Sequence, residues 1–210
     1  MLDEHCHILW GVDDGSDSAS ETLTMLRAAV EAGVTDMVCT PHMRWESFDQ
    51  GAVLERFREF KQLAAGYGVS VQLGYEVYYN RIMTLGLDQA PRFAKEGGSD
   101  FLFEFDTGGM VEQGWERTVY ALQSQYGLHV SIAHPERYTT VLDDYEFVYK
   151  LRDAGCRIQV SAGDLCGGIF SKTAKCAKWI MREGLCDALV SDAHCPEHYA
   201  VFARMADKYL

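Results

Sequence analysis

Two histidines near the beginning of the sequence have a spacing that suits metal binding. His5 and His7 are two residues apart, and because side chains alternate between the faces of a strand, both imidazoles would leave the same face. Segment 11–15 follows, with two adjacent aspartates between glycines, and a turn there would return a carboxylate to the same place. Imidazoles and carboxylates together are typical ligands of divalent metal ions.

The number of such side chains favours a cluster of ions and the hydrolysis of a phosphate ester. Further candidates of the same two types are His42, Glu76, Glu104, His134, Asp192 and His194. With the first two histidines and one carboxylate of segment 11–15 they make nine, too many for one tetrahedral zinc ion, so two or three ions are predicted. Such ions lower the pKa of a shared water to give hydroxide near neutral pH and bind the oxygens of a tetrahedral phosphate. The sequence therefore predicts a phosphoesterase that needs no protein nucleophile.

The predicted secondary structure would bring these side chains together. Apolar segments that suit buried strands alternate with amphipathic segments that suit helices, about seven times along the chain. Parallel strands need such crossovers, and in barrels of this kind functional side chains gather at the carboxyl ends of the strands. We expect a single α/β domain over residues 1–210, closed into a barrel. After the first strand, the predicted strands cover 34–40, 69–73, 100–105, 129–133, 156–161 and 186–190.

The composition limits the classes of protein and partner. With 48% hydrophobic and 24% charged residues, the chain has the composition of a globular domain. Its formal net charge of −12 disfavours binding to nucleic acid, which needs clustered lysine and arginine. No apolar run reaches about 18 residues and no signal peptide is recognisable, so no membrane span is predicted and a cytoplasmic location is expected. The seven cysteines lack paired close spacing, which predicts reduced thiols.

Seven separated sequence blocks resemble the polymerase-and-histidinol-phosphatase (PHP) superfamily. They agree with it in order and approximate spacing and cover essentially the whole chain. Within that superfamily they are most similar to the manganese-dependent bacterial protein-tyrosine phosphatases of the CpsB/CapC and YwqE type. The blocks are Asp3-x-His5-x-His7, segment 11–15, Thr40-Pro41-His42, segment 74–79, Phe103-Glu104-Phe105, segment 134–138 and Ser191-Asp192-Ala193-His194.

The resemblance implies a distorted (β/α)7 TIM-like barrel, the PHP fold, with three metal ions. Manganese is the metal that the family suggests, although iron or zinc also suits the ligand types. The implied partner and substrate is a phosphotyrosine-containing bacterial tyrosine kinase that regulates capsular or exopolysaccharide synthesis, and self-association is compatible with the family. Arg137 is the implied phosphate ligand, since a guanidinium binds phosphate bidentately, and it would act in catalysis with His42 and Asp14. The implied metal ligands are His5, His7, Asp14, His42, Glu76, Glu104, His134, Asp192 and His194.

Two positions depart from the pattern of that family. Glu4 stands where the family usually has an apolar residue, which indicates a first strand with one wetter face. The family also has a second arginine shortly after the last Asp-x-His, whereas no arginine appears here before Arg204. We therefore consider His198 and Arg204 as replacements in substrate binding.

Two further groups of residues have less specific patterns. Cys176 and Arg182 have the Cys-x5-Arg spacing of cysteine-dependent tyrosine phosphatases, but the five residues between them include no glycine and continue a helical pattern. Catalysis by Cys176 is therefore not expected. Several aromatic residues near the predicted metal rim are open between core packing and a role as walls for an aryl phosphate. They are Trp10, Trp45, Phe48, Tyr78 and Tyr79.

Two other functions remain open on the sequence. A PHP phosphatase of a small metabolite such as histidinol phosphate would share the metal ligands and differ in the pocket walls. A weakly catalytic partner of a tyrosine kinase would use the same site to bind phosphotyrosine, which the missing second arginine motivates. Comparing the hydrolysis of phosphotyrosine and of histidinol phosphate distinguishes the tyrosine phosphatase from the metabolite phosphatase. Tight phosphopeptide binding without phosphate release would identify the binding partner. A PHP exonuclease is disfavoured by the charge of −12.

Overall fold

Each apolar segment predicted as a strand forms one in the structure, a computed structural model that describes residues 1–168 and 170–210. Amphipathic helices connect these strands, as predicted. The strands are β1 (Leu2–Cys6), β2 (Asp36–Cys39), β3 (His42–Met43), β4 (Ser70–Leu73), β5 (Glu76–Tyr78), β6 (Asp100–Glu104), β7 (His129–Ile132), β8 (Arg157–Ser161) and β9 (Ala188–Val190). The α-helices are α1 (Ala19–Glu31), α2 (Gln50–Gly66), α3 (Tyr79–Leu85), α4 (Trp115–Tyr126), α5 (Thr139–Asp143), α6 (Phe147–Asp153), α7 (Ala162–Leu165), α8 (Lys172–Arg182) and α9 (Glu197–Tyr209).

The strands form a closed ring of seven parallel positions. β2 pairs with β4 and β3 pairs with β5 in one continuous register, because Asp36 lies opposite Ser70 and His42 lies opposite Glu76. Each of these two positions is thus one strand with a short interruption. β5 to β9 follow in sequence order. The ring closes where the Asp192 amide donates to the His5 carbonyl at 2.9 Å. The predicted distorted (β/α)7 barrel is confirmed.

Short helical segments are the main feature that the sequence patterns missed. α2 begins at Gln50, seven residues before the first apolar residue of its predicted pattern, because the Asp49 carboxylate accepts from the Gly51 and Ala52 amides. α3, α5, α7 and two 3-10 helices (Leu87–Phe93 and Pro135–Arg137) are each too short to show a helical period. In the parts of the chain that the structure describes, we find no helix with the length and apolar character needed to cross a bilayer.

The amino end of the barrel explains the unusual acid of the first strand. Glu4 accepts from the guanidinium of Arg157 on β8, with Oε2 at 3.2 Å and Oε1 at 3.4 Å. Asp100, the first residue of β6, forms an ion pair with Lys95 close by. These four charged side chains line a cavity of about 30 Å³ inside the barrel. The acid at this position of β1 is therefore explained by its ion pair with Arg157 inside the barrel.

Candidate metal centre

The structure brings all nine predicted ligands together at the carboxyl end of the barrel. They form four overlapping groups, and within each group the potential ligand atoms lie within 4.8 Å of one another. Shared members join the four groups into one cluster. The groups are His7, Asp14, His42 and His194; His5, Glu76 and His134; His5, His7 and Asp192; and His42, Glu76 and Glu104.

The potential ligand atoms lie close together, yet several of them form no hydrogen bond. His5 Nε2 and His7 Nε2 face each other at 3.1 Å, and Glu76 Oε2 lies 3.3 and 3.4 Å from them. Glu76 Oε2 is also 2.9 Å from His42 Nδ1, yet neither atom has a hydrogen-bond partner in the described chain, and the same holds for Glu104 Oε2. Buried polar atoms without partners are rare in native proteins. The donor set fits divalent cations, whose coordination would satisfy these atoms.

Outer partners orient three of the imidazoles. His5 Nδ1 lies 3.2 Å from Gln159 Oε1, and His7 Nδ1 lies 2.8 Å from Asp13 Oδ2. His194 Nδ1 lies 3.0 Å from the backbone carbonyl oxygen of Asp192. Because each partner is an oxygen acceptor, Nδ1 carries the proton and the lone pair is on Nε2. Metal-binding histidines usually have this arrangement.

The backbone is strained at two ligands and tightly packed behind a third. Among residues 1–168 and 170–210, only His134 (φ 31°) and Asp192 (φ 48°) are left-handed without being glycine. Such conformations cost about 1–3 kcal/mol and concentrate at functional sites. Gly15 packs so closely on the preceding strand end that a Cβ there would lie 2.0 Å from the His7 carbonyl oxygen. A glycine at this position lets the acidic turn fold back over the histidines.

Burial and neighbouring charges separate the pKa values of the carboxyl groups. Burial alone would raise the pKa of Glu76, but the surrounding histidines hold it well below the usual value. Burial likewise opposes the low pKa of Asp192, which the Arg137 guanidinium keeps well below its ordinary value. Burial and the nearby charge of Glu76 raise the pKa of Glu104 to about 8. Without a metal ion, Glu104 therefore carries a proton at neutral pH.

Arg137, the predicted phosphate ligand, is fixed at the edge of this cluster. Its Nε lies 2.6 Å from Asp164 Oδ2 and its Nη2 lies 2.6 Å from Asp192 Oδ2. The side chain remains 31% exposed. Two carboxylates thus hold the guanidinium in place beside a candidate metal ligand, while its accessible part faces solvent at the rim.

The two proposed replacements for a second arginine lie in different surroundings. His198 Nδ1 accepts a hydrogen bond from the His194 amide at 3.2 Å, so this imidazole caps the backbone of a candidate ligand. Arg204 projects from α9 and its Nη2 lies 3.3 Å from Cys166 Sγ. The structure therefore places His198 beside the cluster and directs Arg204 towards the end of α7.

The aromatic residues divide between the core and the rim. Tyr79 is buried and its hydroxyl lies 3.2 Å from Thr118 Oγ1. Phe48 packs edge-on against two core rings. Trp45 is 42% exposed and contacts the His42 ring edge-on at 5.7 Å. Trp10 and Tyr78 lie under arginine guanidinium groups. Of these five residues, Trp45 contacts the ring of a candidate ligand, and Tyr78 lies opposite Glu104 in the register of β5 and β6.

The cysteine-dependent alternative has no structural support. Cys176 and Arg182 lie in one continuous helix, α8, so the predicted helical pattern is confirmed. The Cys176 thiol is buried, and burial raises its pKa to about 12. A thiol of this kind stays protonated at neutral pH and is a poor nucleophile.

Sequence reasoning missed several residues that support the candidate ligands. The spacing alone left open which aspartate of segment 11–15 returns to the histidines, and the resemblance implied Asp14. In the structure Asp14 lies 3.3 Å from His42 Nε2, and Asp13, which was not singled out, orients His7. Gln159 gave a usable signal, because it is a polar residue inside an apolar strand. Asp164 gave none, since the short helix α7 that carries it has no distinctive pattern.

A sequence profile of one family matches almost the whole chain. The family is described as "Capsular polysaccharide synthesis, CpsB/CapC", and the match covers residues 1–208. Among curated proteins, the tyrosine-protein phosphatase YwqE of Bacillus subtilis is 28% identical over 92% of this chain and 77% of its own length. The tyrosine-protein phosphatase CpsB of Streptococcus agalactiae is 27% identical over 92% of this chain and 83% of its own length.

Solved structures give the same grouping. Crystal structures of YwqE from B. subtilis and CpsB from Streptococcus pneumoniae are described as unique metal-dependent tyrosine phosphatases. The chain matched there superposes with a TM-score of 0.85 at 26% identity, over 99% of this chain and 87% of that one. A variant of an organophosphorus hydrolase from Deinococcus radiodurans superposes with a TM-score of 0.57 at 14% identity, over 97% of this chain and 81% of that one. The latter likeness shows the fold alone.

Proposed function

Because the chain belongs to the CpsB/CapC family of capsular polysaccharide synthesis, we propose that it is a metal-dependent protein-tyrosine phosphatase. The observation that carries the proposal is the single cluster of nine imidazole and carboxylate side chains at the carboxyl end of the barrel. Its curated relatives are named tyrosine-protein phosphatases, and the cluster supplies the ligands that a metal-dependent member needs.

The nine side chains would hold two or three divalent ions, and we propose manganese, with iron or zinc also suited to the ligand types. Ions of this kind would lower the pKa of a water so that hydroxide is available near neutral pH, and they would neutralise the charge of the phosphate oxygens. The protein's part is to position the ligands. Asp13 and Gln159 hold two imidazoles with Nε2 towards the cluster, and Gly15 allows the turn that carries Asp14 to approach.

Arg137 would bind the phosphate itself. Asp164 and Asp192 hold its guanidinium through two contacts of 2.6 Å, so little side-chain freedom is lost when an anion binds. A planar guanidinium presents parallel N–H groups that match two phosphate oxygens. His42 and Asp14, which face each other at 3.3 Å near the solvent side of the cluster, complete the catalytic set at the same rim.

We propose phosphotyrosine as the substrate, borne by a bacterial tyrosine kinase that regulates capsular or exopolysaccharide synthesis. A phenol has a pKa of about 10, so a tyrosyl oxygen leaves with less proton donation than an alkyl alcohol needs. The exposed ring of Trp45 next to His42 offers an apolar wall for the aryl group. Aromatic side chains commonly line ligand pockets in this way.

The test is phosphate release from a phosphotyrosine peptide by the purified protein with added manganese, after chelation, and in a His42→Ala variant. We expect release with manganese, and a loss of at least about 100-fold in the other two cases. Release of phosphate from histidinol phosphate but not from the peptide would favour the metabolite phosphatase. Tight peptide binding without release would favour a binding partner, and both results would contradict the proposal.

A further inference from the structure

Arg44 lies at the same rim as the candidate ligands, although no sequence pattern pointed to it. It follows β3 by one residue, and its Nη1 lies 3.9 Å from Glu104 Oε1. Its Cζ stands 4.7 Å from the centroid of the Tyr78 ring. The side chain is 30% exposed. A cation is therefore held between an aromatic face and a candidate ligand, with part of its surface open to solvent.

The order of the strands places Arg44 across the ring from Arg137. Arg44 follows the second of the seven strand positions, which β2 and β3 form, and Arg137 follows the fifth, β7. Three steps separate them in one direction and four in the other. The contacts place the guanidinium groups in the same way: that of Arg44 lies by Tyr78 and Glu104, at the third and fourth positions. That of Arg137 contacts Asp164 and Asp192, which follow the sixth and seventh positions, so the two groups flank the ligand cluster from nearly opposite sides.

The two arginines differ in how much of their hydrogen-bonding capacity the protein uses. Arg137 makes two carboxylate contacts of 2.6 Å. The guanidinium of Arg44 makes no hydrogen bond with residues 1–168 or 170–210, and its distance of 3.9 Å to Glu104 exceeds that of a hydrogen bond. A guanidinium has five N–H donors. Those of Arg44 are held in place by stacking on Tyr78 and are free to bind an anion.

His198 and Arg204, the two residues considered as replacements for a second arginine, do not provide this arrangement. His198 already accepts from the His194 amide. Arg204 contacts Cys166 at 3.3 Å. Arg44 combines a fixed position, free donors and contact with the cluster.

We propose that Arg44 is the second phosphate-binding arginine of this site, reaching the phosphoryl oxygens from the side opposite Arg137, with Tyr78 as its positioning residue. The inference rests on the proposed phosphatase function. A phosphate monoester dianion has three non-bridging oxygens, which two opposed guanidinium groups can share without competing for the same one. The alternative role, a counter-ion that only neutralises Glu104, predicts a different response to substitution.

The test compares Arg44→Ala and Arg44→Lys with the unaltered protein, all loaded with manganese. The matched control is Arg92→Ala, because Arg92 also stands over an aromatic ring, that of Phe93 at 6.0 Å. Its hydrogen bonds go to Gln89 and Gln50, away from the cluster. The measurements are KM and kcat for a phosphotyrosine peptide, the inhibition constant of inorganic phosphate, and manganese affinity by chelator competition.

We expect Arg44→Ala to raise KM and the phosphate inhibition constant about 10- to 100-fold, the range for loss of hydrogen bonds to a charged group. The KM and the inhibition constant of Arg44→Lys should lie between those of Arg44→Ala and the unaltered protein, since an ammonium keeps the charge but not the planar set of N–H donors. Manganese affinity should be unchanged or tighter, because a cation beside Glu104 has been removed. The control should match the unaltered protein. Unchanged phosphate inhibition, or a rise that an equal loss of manganese affinity explains, would overturn the proposal.

Tyr78 provides a second test that leaves the arginine in place. Tyr78→Phe keeps the aromatic face and should retain phosphate inhibition, whereas Tyr78→Leu should weaken it. Equal effects of both would contradict the positioning role. If the unaltered protein releases no phosphate from the peptide, calorimetry of inorganic phosphate binding to the manganese-loaded variants replaces inhibition. Arg44-dependent binding would then support the inference although the proposed function had failed, and its absence would overturn it.

Discussion

The two ends of this barrel are both rich in charge, but only one balances its charges within the chain. At the amino end, Glu4 pairs with Arg157 and Lys95 pairs with Asp100. At the carboxyl end, Glu76 and Glu104 each keep a buried oxygen without a hydrogen-bond partner in the described chain. The amino end is thus complete as a structure, whereas the carboxyl end is arranged for ligands from outside. In barrels of this class, function at the carboxyl end and stability at the amino end are the general rule.

The largest effect is expected from Glu104→Gln at the carboxyl end. Glu104 is protonated at neutral pH without metal, since its pKa is about 8, so glutamine resembles the acid in that state. The stability of the chelated protein should change by no more than about 1 kcal/mol. Phosphatase activity and stabilisation by manganese should fall strongly, activity by at least about 100-fold. Urea unfolding with chelator and with manganese measures the stability and its increase by the metal, and peptide hydrolysis with manganese measures the activity. Retained activity would remove Glu104 from the ligand set.

A pH series should report on the buried acids with raised pKa values without any substitution. Burial raises the pKa of Glu104 and of Glu136 to about 8, and that of Asp3 to about 6. These acids keep protons in the folded protein that the unfolded chain has already lost. Between about pH 6.5 and 8 folding therefore takes up protons, and stability falls as pH rises, by up to roughly 1.4 kcal/mol per pH unit for each proton. Burial lowers the pKa of His134 and that of His194, the latter to about 4, so below about pH 6.5 these two histidines act in the opposite direction.

Manganese should flatten this slope, because bound metal keeps Glu104 deprotonated. Urea unfolding at four pH values, with chelator and with manganese, measures it. Glu136→Gln is the control, since Glu136 accepts from the Ser161 amide and is not a candidate ligand. Glu136→Gln should reduce the pH dependence of stability by the contribution of Glu136 alone, and by the same amount with chelator and with manganese. A chelated protein that becomes more stable from pH 6.5 to 8 would contradict the assigned pKa directions.

A smaller effect is expected at the amino end, from Arg157→Ala. The change leaves the partly buried Glu4 without its partner and should destabilise the protein by about 1 kcal/mol. Adding Glu4→Gln should restore part of that loss, because the unpaired charge is removed. Peptide hydrolysis should stay the same in both variants. A large loss of activity with unchanged manganese affinity would show that the two ends are coupled.

The smallest effect is expected from Cys176→Ala. The thiol lies in α8, outside both charged ends, and its pKa of about 12 keeps it protonated at neutral pH. Activity with the phosphotyrosine peptide should stay within about twofold. A folded, manganese-loaded variant that had lost most of its activity would revive the cysteine-dependent mechanism.

The sequence was sufficient for the barrel and for the gathering of the candidate ligands. Histidines and acids at the ends of parallel strands converge for a geometric reason, so short local patterns predict a long-range cluster. The direction of a side chain on a loop or helix has no such rule. Arg204 looked able to reach the site but points to Cys166, whereas Arg44 gave no signal because its contacts depend on the path of the loop after β3.

The choice between adjacent aspartates shows the same limit on a smaller scale. Asp13 and Asp14 are chemically equivalent in the sequence. In the structure Gly15 packs closely on His7, Asp13 turns inward to His7, and Asp14 faces His42 and His194. Backbone detail of this kind comes from tertiary contacts rather than from residue type.

The junction of β1 with the end of β9, which closes the ring, has a consequence for folding during synthesis. Ser191 Oγ lies 3.2 Å from the His5 carbonyl oxygen across 186 residues of sequence, and candidate ligands lie on both sides of this junction. A nascent chain that has not yet formed β9 lacks Asp192 and His194, and bringing such distant segments together is a slow step in folding. Full occupation of the proposed metal centre is therefore expected only after synthesis has passed the last strand.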